Sequence, residues 1–134
     1  MAQSSSQEAI YFDYGLKNHT LSSGWKTVKF DIPRAVSPTK IYDSSTGKVT
    51  IEEPGLYYFY IHTLPYDTLG EFYLFIYVDD ERACKAFKID GIKNHMSCAI
   101  VRYLKRGQQI FVKTTDKIFN SFYSSTGFLG FKLQ

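Results

Sequence analysis

Apolar residues in this chain recur with a period of two in short runs, and turn-forming residues separate the runs. Leu56 to His62 puts Tyr57, Phe59 and Ile61 on one side of an extended strand and Leu56, Tyr58 and Tyr60 on the other. Phe72 to Val78 behaves alike, with Phe72, Leu74, Ile76 and Val78 pointing one way and Tyr73, Phe75 and Tyr77 the other. Breaks come at Ser22-Ser23-Gly24, Pro33, Pro38, Ser44 to Gly47, Glu53-Pro54-Gly55, Pro65, Gly70, Asp79-Asp80, Asp90-Gly91, Lys105 to Gly107, Thr114 to Asp116 and Ser124 to Gly127. Alternating runs of about five to eight residues between such breaks predict an all-β sandwich or barrel. Residues 1–8, polar and Ser-rich, read as a disordered tail, and 9–134 as one globular domain.

Strands that are apolar on both sides carry a further expectation. An antiparallel sandwich usually leaves one face of each sheet to water, so something must cover the second face. No helix is predicted to lie across these sheets. A neighbouring copy of the chain is the expected cover, with Tyr58, Tyr60, Tyr73, Phe75 and Tyr77 at the interface. The alternative is that tyrosine hydroxyls simply reach solvent from a half-exposed face.

Composition agrees with sheet and adds little about partners. Of 134 residues, 11 are Tyr and 11 Phe, which suit a pleated, half-buried surface, and a charged share of 22% is too low for disorder. The net charge of +3 is spread out, with no more than two neighbouring Lys or Arg, so no polybasic arm reaches for phosphates or an anionic bilayer. No apolar run approaches the about 20 residues that span a bilayer as a helix. The start, MAQSSSQEAI, lacks the apolar segment of a secretory signal. Such a start fits a cytosolic chain, unconventional export or a mature fragment behind an added Met, and the fragment, its signal removed or replaced, is the favoured reading. Cys84 and Cys98 are the only cysteines. A bridge would close a loop of about 15 residues and contribute roughly 3 kcal/mol in the chain-entropy model. Two buried free thiols fit the sequence equally well.

The segment Ile41 to Ile61, IYDSSTGKVTIEEPGLYYFYI, resembles the signature of the complement C1q globular domain. An aromatic, a turn ending in Gly-Lys, a strand, Pro-Gly and an aromatic pair follow in order, here as Tyr42, Gly47-Lys48, Val49, Pro54-Gly55, Tyr57 and Phe59. Ser125 to Leu129 is similar to the family's closing strand, Leu104 to Ile110 to its penultimate hairpin, and Phe30-Asp31 to the opening of the motif. Val49 stands for the usual Phe, Ile61 for an aromatic and Gln108 for the common Asp, which marks a divergent member. No Gly-X-Y collagen repeat precedes the domain in this chain. The resemblance implies a two-sheet antiparallel jelly roll shared with tumour-necrosis-factor-like cytokines, assembled as a homotrimer for extracellular recognition.

No catalytic constellation competes with that reading. Ser44 to Lys48 has the end of a phosphate loop, but Tyr42 replaces its first Gly and the flanks read as strands. No Gly-x-Ser-x-Gly elbow occurs, neither Cys forms a catalytic motif with a His, and His19, His62 and His95 lack metal-ligand spacing. Asp79-Asp80-Glu81 reads as a hairpin tip. The loop Lys88 to Ser97 offers Asp90 and Asn94 as oxygen ligands where some family members bind calcium, so calcium is a candidate cofactor. Candidate ligand-binding residues on loops are Tyr66, Asp67, Asp90, Asn94, His95, Asn120, Tyr123 and Ser124, since rings beside amides and acids suit sugars. Asn18-His19-Thr20 is a glycosylation sequon. Stacking of bases on Tyr73, Phe75 and Tyr77 would need a basic groove beside the rings, which the sequence does not show, so no nucleic-acid partner is expected. The expected function is lectin-like pattern recognition of microbial or cell-surface glycans in innate immunity. The alternative is a cytokine-like or scaffold ligand for a protein receptor.

Overall fold

A computed structural model describes residues 8–17, 20–21, 26–64, 72–89, 95–114, 119–120 and 126–134. The described strands are β1 (Tyr11–Gly15), β2 (Thr20–Leu21), β3 (Ile32–Val36), β4 (Tyr42–Asp43), β5 (Lys48–Thr50), β6 (Gly55–Thr63), β7 (Phe72–Val78), β8 (Glu81–Lys88), β9 (Met96–Leu104), β10 (Gln109–Thr114), β11 (Phe119–Asn120) and β12 (Gly127–Lys132). They form two antiparallel five-stranded sheets, β3-β1-β12-β6-β9 and β4-β5-β10-β7-β8, with β2 and β11 paired separately. The chain crosses repeatedly between the two sheets, with β4–β5 and β7–β8 as hairpins inside the second, as in a jelly roll. Among the described residues no helix is long and apolar enough to cross a membrane.

Local chemistry explains the elements. Asp79 and Asp80 make the tight turn between β7 and β8, and Asp79 takes the left-handed conformation (φ 53°) that Asp tolerates. Pro33, which the sequence pattern reads as a break, lies inside β3 instead. The strand accommodates it because β3 is the edge of the first sheet and its ladder with β1 shifts register beside Pro33, between Asp13 and Tyr14.

The core lies between the sheets and is aromatic. Phe12, Tyr57, Phe59, Ile61 and Phe128 come inward from the first sheet, and Leu74, Ile76, Ile110 and Val112 from the second. Phe12 stacks on Tyr42 at 5.3 Å and meets Phe128 edge-on at 5.1 Å, spacings at which ring quadrupoles attract. Gly130 makes room for these rings: a Cβ there would stand 2.5 Å from Phe59 and 2.7 Å from Phe12. Cys84 on β8 and Cys98 on β9 are joined as a disulfide with Cα atoms 6.2 Å apart, a link between the edge strands of the two sheets.

Tyr42 also closes a polar account. Its hydroxyl accepts from the Phe30 N–H at 2.8 Å and donates to the Phe30 carbonyl at 2.9 Å. Burial, offset in part by the Phe30 bond, holds this phenol well above its ordinary pKa. Tyr57 donates to the Glu53 carbonyl at 2.6 Å, and burial followed by the Glu53 charge pushes its pKa up to about 12.

Two expectations follow for stability. Tyr42→Phe removes both partners of Phe30 and should cost about 1–3 kcal/mol, read as a fall in the urea midpoint with unchanged slope. Because the folded pKa of Tyr57 exceeds the unfolded value of 10.0, its contribution is complete below pH 10 and is lost as pH rises through about 12. Urea titrations across that range should show the decline, and a flat profile would contradict the assignment.

Candidate functional site: two aromatic outer faces

Each sheet turns a second aromatic face away from the core. On the first sheet the register places Val101, Tyr58, Phe131 and Tyr11 side by side across β9, β6, β12 and β1. The next row is Ala99, Tyr60, Leu129 and Asp13. Tyr58 and Phe131 are 5.0 Å apart. Exposure is high at the β9 edge, 55% for Val101 and 74% for Tyr103. The face turns polar at its far end, where Gly127 leaves room for two side chains. A Cβ there would lie 2.9 Å from His62 Nε2 and 3.2 Å from Arg34 Nη1.

The second sheet is different, because its outer rings are overlaid by cations. Tyr73, Phe75 and Tyr77 point outward from β7 beside Phe87 of β8 and Phe111 of β10. Tyr77 and Phe111 stack at 5.4 Å, and Tyr73 and Phe75 at 6.1 Å. The Arg82 guanidinium lies 4.5 Å above Phe75 while its Nε donates to the Tyr77 hydroxyl at 2.8 Å. Lys48 sits 5.2 Å from Phe111, Lys85 5.4 Å from Tyr73, and Lys113 5.2 Å from Tyr77. Under this layer Phe75 is only 6% exposed. The expectation that no basic groups flank these rings is therefore corrected. The cations come from β5, β8 and β10, strands far apart in sequence that pairing brings together.

The described carboxylates nearest this face stay at its rim. Asp43 accepts from the Ser45 hydroxyl and N–H, which hold its carboxyl below the usual range. Asp79 accepts from the Gln109 N–H and the Gln108 amide. Glu81 turns away to a bidentate pair with Arg102 at 2.8 and 3.1 Å, which lowers the Glu81 pKa and raises that of Arg102. Beside Lys48 opens a cleft of about 410 Å3, lined by Lys40, Tyr42, Asp43, Lys48, Glu52 and Gln109.

The five rings expected at a subunit interface fall on two faces of the chain. Tyr58 and Tyr60 lie on the first sheet, whereas Tyr73, Phe75 and Tyr77 lie on the outer face of the second. Of the expected ligand-binding residues, His95 is exposed just before β9, and Asn120 pairs through its backbone with Thr20. Tyr66, Asp67, Asp90, Asn94, Tyr123 and Ser124 lie outside the described residues, as does Asn18. The calcium expectation, which rests on Asp90 and Asn94, falls there too. Among the described residues no group of three or more His, Cys, Asp or Glu could hold a metal ion.

Two five-stranded antiparallel sheets facing across an aromatic core define a jelly-roll domain of the C1q and tumour-necrosis-factor type. The C1q domain model matches residues 9–133, and the chain belongs to that family. Solved structures share the fold at low identity. Murine APRIL at pH 8.5 matches with TM-score 0.76 and 17% identity over 94% of this chain and 100% of that one. The globular domain of zebrafish complement 1qA matches with TM-score 0.71 and 17% identity, covering 93% and 98%. Eiger TNF from S. frugiperda matches with TM-score 0.76 and 16% identity, covering 96% and 94%. No curated protein sequence matches this chain.

The cation layer has a measurable consequence. Arg82→Ala should uncover Phe75, raise binding of a hydrophobic fluorescent dye, and cost about 1 kcal/mol through the lost ring contact and hydrogen bond. An unchanged dye signal would mean that Phe75 is covered without Arg82.

Proposed function

We propose that this domain is a non-catalytic, extracellular recognition module that assembles as a homotrimer through the first sheet and binds glycans of microbial or cell surfaces. The observation that carries the reading is the contrast between the two outer faces. The first presents largely apolar rows, ending in Val101 and Tyr103, and among the described residues no cation lies over its rings. Its burial against a second copy removes apolar area from water at about 25 cal/mol per Å2. The second face and the loops stay outward, available to ligand. The disulfide agrees with an oxidising, extracellular setting. Three sites on one trimer raise avidity roughly 100-fold or more where ligand spacing allows.

A receptor-binding role is the second reading, and the likeness to murine APRIL and Eiger TNF favours it. In that case the grooves between subunits carry the contacts. Substitution of Tyr66 or Tyr123 separates the two readings, because loss of binding there argues for loop recognition.

Sedimentation should give a trimer at micromolar concentration, and Val101→Glu a folded monomer, since Val101 is 55% exposed within one chain. A glycan and lipopolysaccharide array, run with calcium and then with chelator, should show binding by the trimer and strong loss in the monomer. A wild-type monomer that binds no glycan would overturn the reading.

A further inference from the structure

We propose that His62 makes the assembly through the first sheet acid-labile, so that the trimer releases its subunits as pH falls below about 6.5. The inference rests on the assembly proposed above and concerns its control. Gly15 and Gly127 stand opposite each other on β1 and β12 and have no side chain to turn outward, which leaves a trench across the face. Arg34 reaches over it from β3. A Cβ on Gly15 would stand 2.5 Å from its Nη2 and 2.8 Å from its Cζ, and the same Nη2 donates to the Thr126 carbonyl at 3.5 Å. The guanidinium thereby ends beside His62 of β6, the ladder partner of Gly127. One point above Gly127, where a Cβ would sit, is 3.2 Å from Arg34 Nη1 and 2.9 Å from His62 Nε2. A fixed cation and an imidazole thus share one glycine floor.

The groups around His62 decide the direction of the effect. Among the described strands, the residues facing outward from the first sheet include one carboxylate, Asp13 of β1, and one permanent cation, Arg34 of β3. Facing His62 from the neighbouring strands are Gly127 of β12 and Ser97 of β9, while the exposed His95 lies just before β9. On β6 itself the Tyr60 ring stacks on the imidazole at 5.4 Å. Phenols ordinarily lose their proton at about pH 10 and carboxylic acids at about pH 4, so imidazole is the group whose charge changes between about pH 7.5 and 5.5. With His62 neutral, Asp13 and Arg34 balance on this face. Protonation sets a second positive charge beside Arg34. On the separate chain water screens the pair, because Arg34 is exposed. Burial of the face against another copy removes that water, and the repulsion grows as the local dielectric falls. The assembled form therefore takes up a proton at His62 less readily than the separate chain, and by linkage acid favours the separate chain. Assembly is complete above the ordinary imidazole range and is lost as pH drops through it. A partner carboxylate set against His62 would reverse that direction, which the experiment reads.

The test is sedimentation of the whole chain over a concentration series at about pH 7.5 and about pH 5.5, with near-UV circular dichroism to follow the fold. The concentration at half-assembly should rise roughly 10-fold or more on acidification, since one unit of pKa difference at a site is worth a factor of ten. His62→Gln, which keeps a polar side chain and takes up no proton, should hold the ratio of the two concentrations close to unity, whatever its absolute affinity. Arg34→Gln should shrink the wild-type ratio by removing the second charge. His95→Gln should keep that ratio. Assembly that acid leaves unchanged or tightens overturns the proposal while the trimer stands. So does a His62→Gln response equal to wild type, or loss of the fold at the same pH. If His62→Gln does not assemble at all, Arg34→Gln decides, and an undiminished response there overturns the proposal. A wild-type chain that is monomeric at about pH 7.5 removes the assembly itself, and its control with it.

Discussion

Apolar alternation on both sides of the central strands is the constraint from which the rest of this molecule follows. An ordinary sandwich buries two inner faces and wets two outer ones. Here β6 and β7 carry rings on both sides, so burying Tyr57, Phe59, Leu74 and Ile76 in the core leaves Tyr58, Tyr60, Tyr73 and Phe75 facing outward. Water is a poor solvent for rows of such rings. The two sheets meet the same difficulty differently. The second lays its own lysines and arginine over its rings and buries Phe75, though Phe87 at its edge stays 53% exposed. The first leaves Val101, Tyr103 and Tyr11 exposed within one chain.

Each solution has a functional counterpart in the proposed assembly. A bare apolar face gains most from a partner of its own kind, because identical rows can pack without leaving a charge unpaired. A cation-covered face resists such packing, since burying four charges against another copy would cost far more than the rings recover. Assembly and ligand binding are thereby assigned to opposite sides of one domain, and the pairing of strands rather than any single loop decides which side is which.

Much of the fold was legible in the sequence. Period-two alternation marked the strands, Asp79-Asp80 the β7–β8 turn, and Tyr42 with Pro54-Gly55 the motif that led to the family. Pro33 misled because a proline on an edge strand looks the same as a proline in a turn until the edge is known. The aromatic layer was legible only in half. Its rings sit together on β7, but Lys48, Arg82 and Lys113 become neighbours only through the β5-β10-β7-β8 register, and no local motif records long-range pairing. For the same reason the nine-residue gap between Leu56–His62 and Phe72–Val78 could not say that their outer rings lie on opposite faces.

Tyr42 shows how the family motif is tied to this arrangement. Its ring packs on Phe12 from the first sheet, and its hydroxyl clasps both backbone groups of Phe30. The same strand continues into Asp43, whose partner across the ladder is Lys48. The turn from Ser44 to Gly47 and the lysine that follows thus do two things at once: they return the chain into the second sheet, and they deliver the first cation of the aromatic face. A shift of β5 by one residue would turn Lys48 into the core and Val49 outward, which the buried side of the sheet forbids. The packing that fixes the core therefore also fixes where the charge stands, and a motif that reads as purely structural places one corner of the cation-covered face.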